Sequence, residues 1–327
     1  MILRYAHLRQ HPTVFQSVTG LRVPEFDALL DDLLPRLRDA EVARLSRPTT
    51  ARPRRRRAIG AGHPFALEVR DQVLLTVVWL RVYPIYPVLG YLFGVSAATV
   101  ERTIPRLLPV LEAAGQESMR QALAALDDPA RRLRRRSRRT LDDVLRETPE
   151  LAVVIDRFEQ RVQRPQGYKD DGTRVADDYF SGKKQQHPLK TQVAVDDEQG
   201  LFVDIPDSVP GPTSDIKLLE QSELLPRLPS GVGGLGDKAY VGGDKLVPGV
   251  VVATPRRKPR GQPRPPEDVV YNTAFARRRI IVEHRIGRLR RYESLAQTDR
   301  HHRQAHTSRS RAAAGLVNRQ LRRRFPY

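Results

Sequence analysis

Cysteine is absent from the 327 residues. That excludes disulfide scaffolds, thiolate zinc sites and cysteine nucleophiles. No apolar run approaches the ~18–20 residues that a membrane-spanning helix needs, so no membrane partner is expected. The first residues, Met1-Ile2-Leu3-Arg4-Tyr5, do not show a basic segment followed by an apolar core, and no signal peptide is expected. The chain reads as a soluble cytoplasmic protein. Acidic residues are in deficit, with 38 Asp+Glu against 57 Lys+Arg, a formal charge of +19. Lysine is scarce too, at 8 against 49 arginines.

What is present points to a polyanion. Hydrophobic residues make up 39% of the chain, enough for a packed core. At roughly 150 residues per domain the length suggests two domains. A pI near 10.8 makes nucleic acid the first candidate partner. The planar fork of arginine suits phosphate, although a genome rich in G and C gives the same bias. The charge is uneven. Residues 151–250 carry 12 basic and 16 acidic side chains, while residues 251–327 carry 20 and 5. A nuclease has use for an acidic middle between basic flanks: carboxylates hold metal ions and arginines hold phosphates. The competing reading is that acidic loops balance solubility.

Three regions follow from a walk along the chain. In residues 1–60, Phe26, Leu29, Leu30, Leu33, Leu34 and Leu37 recur at helical spacing. A basic linker follows, with Arg54, Arg55, Arg56 and Arg57. It is read either as a segment lying on a phosphate backbone or in a minor groove, or as a solvated connector. Residues 61–148 hold a helix from Leu67 to Val82, a short helix from Pro84 to Phe93, a Gly94-Val95 turn and a third helix capped by Ser96. That is the pattern of a helix-turn-helix, although three-helix cores occur in other proteins. The third helix would read DNA, with Ser96, Thr99 and Arg102 as candidates and Ala97, Ala98 and Glu101 exposed. Pro105 and Pro109 are expected to kink or end it. A charged connector with seven arginines between Arg131 and Arg139 closes the region.

From 149 to 327 the period changes. Leu151 to Ile155 reads as a buried strand ending on Asp156. Further strands are expected at 189–196, 200–206, 232–235 and 247–254, with helices at 213–225 and from an Asn272 cap through Arg291. The order β-β-β-α-β-β-α is an α/β (α+β) arrangement with a mixed five-stranded sheet.

Three acids stand out. Asp156 and Asp237 sit at expected strand ends, where ligands collect in such sheets. Glu283 follows an Ile-Ile-Val run and is expected to be half-buried, in need of a cation. Three convergent carboxylates suit two Mg²⁺ ions ~3.5–4 Å apart, arranged for in-line displacement at phosphorus. Arg279 and Arg290 lie on about the same helix face as Glu283 and could hold phosphates. The competing reading pairs Glu283 with one of them. Asp171 lies in a polar loop and is rejected. Asp215 is read as an acid favoured by a helix N-terminus. His301, His302 and His306, without cysteine or nearby carboxylates, argue weakly for zinc.

Several ordered blocks resemble a DDE transposase of the insertion-sequence-five type, related to the PIF/Harbinger transposases. They are Asp71–Leu75 through Tyr91–Ser96, Tyr179–His187 with Lys183 and Lys184, Val209–Gly211 with Ser214 and Asp215, Leu235–Tyr240, and Arg279–Arg290. The resemblance spans nearly the whole chain. It implies a ribonuclease-H-like catalytic domain, with Asp156, Asp237 and Glu283 as catalytic and metal-holding residues and Mg²⁺ (or Mn²⁺) as cofactor. Lys183 and Lys184 join the arginines as DNA-binding candidates. It also implies cleavage at terminal inverted repeats, strand transfer into target double-stranded DNA, a homodimer assembled on DNA ends, and a bacterial, nucleoid-associated location.

This chain departs from the pattern in three places. Arg157-Phe158 stands where Gly-Thr usually follows the first acid. Ala276 replaces a tyrosine, and Arg290 replaces a lysine. Arg290 preserves the charge, but the first two departures support an alternative: a catalytically decayed, non-enzymatic repressor or end-binding protein. By strand alternation Arg157 is expected to face away from the metals and Phe158 to return toward Asp156's side. With a sharp turn of the chain Phe158 packs under the strand end instead and leaves the site open, and this open case is the one expected.

Overall fold

Residues 3–46, 65–137 and 150–322 are described by the computed structural model. Arg54 to Arg57 lie outside them, as do residues 138–149. Among the described residues no helix is long and apolar enough to cross a membrane. The contacts divide the chain into two compact units, 1–115 with 292–294, and 116–291 with 295–327.

The first unit is helical: α1 (Tyr5–Leu8), α2 (Pro12–Thr19), α3 (Val23–Ser46), α4 (Val69–Val82), α5 (Tyr86–Phe93) and the beginning of α6 (Ala97–Ala124). Its first three helices close around stacked and edge-on rings of Tyr5, Phe15 and Phe26. Helix α4 is buried along nearly its whole length, from Asp71 to Leu80. The turn between α5 and α6 depends on two glycines. Gly94 adopts a left-handed backbone at φ 60°. Gly90 lies so close to the next segment that an added Cβ would meet the Val95 carbonyl oxygen at 2.6 Å.

Helix α6 corrects an expectation. It runs unbroken through Pro105 and Pro109 to Ala124. Each proline removes one N–H donor. The buried stripe of Val100, Ile104, Leu107, Leu108 and Leu111 holds the helix together on both sides of them.

The second unit adds α7 (Pro129–Ser137), β1 (Glu150–Arg161), α8 (Val175–Tyr179), β2 (Pro188–Asp196), β3 (Phe202–Asp204), β4 (Val209–Pro210), α9 (Asp215–Gln221), β5 (Val232–Leu235), β6 (Val252–Ala253), α10 (Pro266–Leu289) and α11 (Ala305–Arg322). The sheet is mixed, as expected, but has six strands rather than five. Its order is β3-β2-β1-β5-β6, with β4 pairing to β2. The added strand is two residues long and too short to show a period. β1 is antiparallel to β2 and parallel to β5.

β1 is the second correction. It continues past Asp156 to Arg161, because β2 pairs with it from Val153↔Asp196 to Arg161↔Pro188. Asp156 therefore stands inside a strand. The pleat then sets two faces. Asp156, Phe158 and Gln160 face α10 and α11: Arg279 bonds to Asp156, and His306 bonds to Gln160. Arg157 on β1 and Lys190 on β2 face α9, where both pair with Asp215. Helix α10 is pinned by Arg278, which donates to the Leu151 carbonyl and Asp197, and by Arg285, which donates to the carbonyls of Gln199 and Gly200. It begins at Pro266, before Asn272. The Asn272 side chain instead accepts from the Arg256 N–H and donates to the Arg256 carbonyl.

Candidate active site

Asp156 is buried, and both its oxygens are engaged. Oδ1 accepts the backbone N–H of Arg157 at 2.8 Å, and Oδ2 accepts Arg279 Nη2 at 2.8 Å. Burial pushes its carboxyl above the usual range and the nearby Asp237 adds to this, while the Arg157 N–H and Arg279 work against it.

Asp237 follows the end of β5. Its Oδ1 accepts the Ala239 N–H at 2.8 Å and caps a single 3₁₀ turn, Lys238–Tyr240. Gly236 is needed just before it, since a Cβ there would meet Tyr240 Cβ at 2.7 Å. Tyr240 is thereby buried beneath the acid, and burial raises its phenol well above its ordinary value.

Glu283 is one helical turn from Arg279, with Oε1 3.9 Å from Nη2. Arg279 therefore links Asp156 to Glu283. The expectation of a half-buried Glu283 is corrected: its side chain is 58% exposed. Phe275, Val282 and Leu289, at seven-residue spacing, are the buried residues of α10, and Glu283 lies beside that stripe.

Arg157 is the larger surprise. Its side chain leaves β1 on the face opposite Asp156, as alternation requires, yet its guanidinium lies among the acids. Nη1 donates to Asp237 Oδ2 at 3.3 Å and stands 4.0 Å from Asp156 Oδ1, while Nε stands 2.9 Å from Asp215 Oδ1. β5 ends at Leu235, opposite Val154, so no strand flanks Arg157 on that side. The long stem folds into the space left open. Burial works against the Arg157 charge, but the carboxylates of Asp215, Asp237 and Asp156 outweigh it and the net shift is upward.

Asp215 does more than open a helix. It is buried and shared between Arg157 and Lys190, each at 2.9 Å. Lys190 Nζ also donates to the Thr213 carbonyl. The signal in the sequence for this pairing is Lys190, a cation within an otherwise apolar and polar-neutral stretch of buried strand. Phe158 is buried, with its ring centroid 6.4 Å from that of His306; it lies on the Asp156 face of a strand that runs on without the sharp turn expected there.

The other candidates lie apart from this cluster. Ser96 Oγ accepts the Thr99 N–H at 3.2 Å and lies 3.0 Å from Thr99 Oγ1. Both therefore fasten the start of α6, in the first unit. Arg102 is exposed, and its Nε donates to the Ala98 carbonyl at 3.0 Å. Lys183 and Lys184 sit at the tip of a turn between Ser181 and Gln186, with Lys184 Nζ 2.7 Å from Glu159. Arg290 is exposed and ends α10, where its N–H reaches the Ile286 carbonyl. It joins no ion pair with the three acids. Asp171 closes a small exposed turn by accepting the N–H and hydroxyl of Thr173. His306 is fully buried between Gln160 and Ser208.

Among the described residues no group of three carboxylates or imidazoles stands close enough to enclose a metal ion as the side chains lie. The donor chemistry nevertheless suits one. Asp156, Asp237 and Glu283 are hard oxygen ligands, and the cationic Nη1 of Arg157 stands between the first two as a stand-in.

Residues 155–318 match the family model described as DDE superfamily endonuclease. Residues 65–117 match the helix-turn-helix of DDE superfamily endonuclease. The chain is also similar to the probable transposase for insertion sequence element IS702 of Microchaete diplosiphon. It is 26% identical to that protein over 255 residues, 78% of this chain and 82% of the relative.

Proposed function

We propose that this chain, which belongs to the DDE superfamily of endonucleases, is the transposase of an insertion sequence. Its endonuclease and helix-turn-helix parts are those of proteins that bind and cut DNA. The finer reading is that residues 61–148 recognise the terminal inverted repeats of its element. Residues 149–327 then cut a strand and join the freed end to target double-stranded DNA. A homodimer assembled on two DNA ends is the proposed working form. The observation that carries the reading is the linkage of all three acids through two arginines, Arg279 and Arg157.

In the proposed mechanism a water oxygen attacks a phosphodiester at phosphorus, the P–O3′ bond breaks, and a 3′-hydroxyl and a 5′-phosphate are left. The freed 3′-hydroxyl then attacks a target phosphodiester in line: its oxygen bonds to the target phosphorus as the target's own P–O3′ bond breaks, and the departing target O3′ takes up a proton to leave as a 3′-hydroxyl. Asp156, Asp237 and Glu283 would hold two Mg²⁺ ions, for which Mn²⁺ can substitute; these supply charge neutralisation to the attacking and leaving oxygens. Arg279 favours the charged form of buried Asp156 against its burial and offers its remaining N–H groups to phosphate oxygens. Asp237 is held rigid by the turn it caps. Arg157 must release Asp237 before a cation takes its place, and the phosphate backbone offers it a new anionic partner.

Arg157 also favours a second reading, the non-enzymatic end-binding protein, because it already neutralises two of the acids. Strand transfer separates the two readings. The probe is a duplex of the DNA flanking the coding frame with an exposed 3′-hydroxyl, incubated with supercoiled plasmid and Mg²⁺. Joined product is expected. End binding with no joining in Mg²⁺ or Mn²⁺ would leave the repressor reading.

A further inference from the structure

The acids lie near one end of a basic strip whose far end is a cleft. Along the α9 face of β1, Arg157 is followed by Glu159, paired with Lys184, and then by Arg161. Just beyond β1 opens a cleft of about 450 Å³ lined by Arg161, Gln163, Arg164, Gln186, His187 and Thr298, among others. No carboxylate lines it.

Its cations differ from those at the acids. Arg157, Arg279 and Lys190 are all paired with aspartates. Arg161, Arg164 and Lys183 form no ion pair among the described residues and are exposed. Unpaired arginines on a concave wall keep their fork of donors for an external anion.

The walls are built rather than loose. Val162 bridges to Asp299, and its N–H reaches the His187 carbonyl at 2.9 Å. Ser181 pairs with Gln186, and Gln185 closes the turn at φ 52° with its amide on the Gly182 carbonyl. The His187 ring rests against Phe180, with centroids 5.4 Å apart.

We propose that this cleft seats the phosphate backbone of the DNA being cut, with Arg161 and Arg164 on its phosphate oxygens. The proposal rests on the reading of the chain as a DNA-cutting transposase. Its position follows from strand geometry. Arg161 is five residues beyond Asp156 on β1, and at ~3.3 Å per residue the separation is about 16 Å. At ~3.4 Å of rise per base pair that is about five base pairs from the cut. The cleft thereby fixes how far the duplex extends past the acids, and so where the cut falls.

The test is a phosphate footprint of the full-length protein on a duplex of the DNA flanking its coding frame. The wild type is compared with the Arg161→Ala/Arg164→Ala double variant and with the matching double lysine variant. The alanine variant should lose protection at one or two phosphates about five base pairs from the wild-type nick, and the salt slope of binding should fall by about two. Protection elsewhere and the thermal melt should be unchanged, and the lysine variant should restore most of the lost protection. An unchanged footprint and salt slope in the alanine variant would overturn the cleft proposal alone. A uniform loss of protection along the duplex would also overturn it. A wild-type protein that protects no phosphates on that duplex would overturn the transposase reading, and this proposal with it.

Discussion

Arg157 donates to Asp237 at 3.3 Å, so a side chain that leaves the strand away from Asp156 returns to the acids around the end of β5. A divalent cation entering between Asp156 and Asp237 has to displace a cation already there. Arg157→Gly should therefore raise Mn²⁺ affinity about tenfold in the absence of DNA, because a like charge a few ångströms away is removed. Electron paramagnetic resonance of free Mn²⁺ reads this directly. Equal affinity in the two proteins would mean that the guanidinium does not compete for the site.

Asp215 holds both Arg157 and Lys190 from a buried position. Asp215→Asn should destabilise the second unit by about 3 kcal/mol, since Lys190 is left buried without its counter-charge. A urea denaturation curve checks it. A loss below about 0.5 kcal/mol, the range of ordinary surface changes, would show that the pair is solvated and weak.

His306 gives the fold a pH dependence. Burial lowers its imidazole to about 3 from 6.5. Below pH 6.5 the unfolded chain takes up a proton that the folded chain refuses. The stabilisation from His306 is therefore complete above 6.5 and is lost as pH falls toward 3. A shift of that size corresponds to at most ~4–5 kcal/mol. The urea midpoint should drop steeply between pH 6.5 and 4, and His306→Gln should flatten that slope. Parallel slopes in the two proteins would assign the acid sensitivity to other groups.

Gly90→Ala should damage the helix-turn-helix, because the new Cβ would lie 2.6 Å from the Val95 carbonyl. The expected cost is about 1–3 kcal/mol, with loss of preference for end DNA over random DNA in a competition assay. Undiminished preference would show that this turn does not position the DNA-reading helix.

Much of this was legible in the sequence, and the failures have identifiable causes. The helix-turn-helix was readable because Gly94, Ser96 and the apolar spacing of α4 and α5 are local signals. The mixed sheet was readable from its runs of β-branched residues. The second half of β1 is not legible, because Asp156 to Arg161 holds one apolar residue, Phe158, among five polar ones, and only pairing with β2 shows that it stays in the sheet. The length of α6 is not legible, because proline is a local signal and the buried stripe that overrides it is tertiary. The three acids were legible as candidates. Their linkage through arginines was not, because Arg157 reaches Asp237 across 80 residues of chain. The role of Asp215 is hidden for the same reason: it opens α9, and its partners Arg157 and Lys190 lie on β1 and β2.

Nicking of the end duplex in Mg²⁺, read at single-nucleotide resolution, tests the proposed activity most directly. Wild-type protein should cut one strand at a fixed position, and Asp171→Asn should cut equally well. Asp156→Asn, Asp237→Asn and Glu283→Gln should each bind the duplex as the wild type does and cut at least about a hundredfold more slowly, having lost a ligand needed for in-line displacement. A wild-type protein that binds ends but never nicks them in Mg²⁺ or Mn²⁺, or an Asp156→Asn protein that nicks at the wild-type rate, would contradict the assignment of these acids as the centre of DNA cleavage.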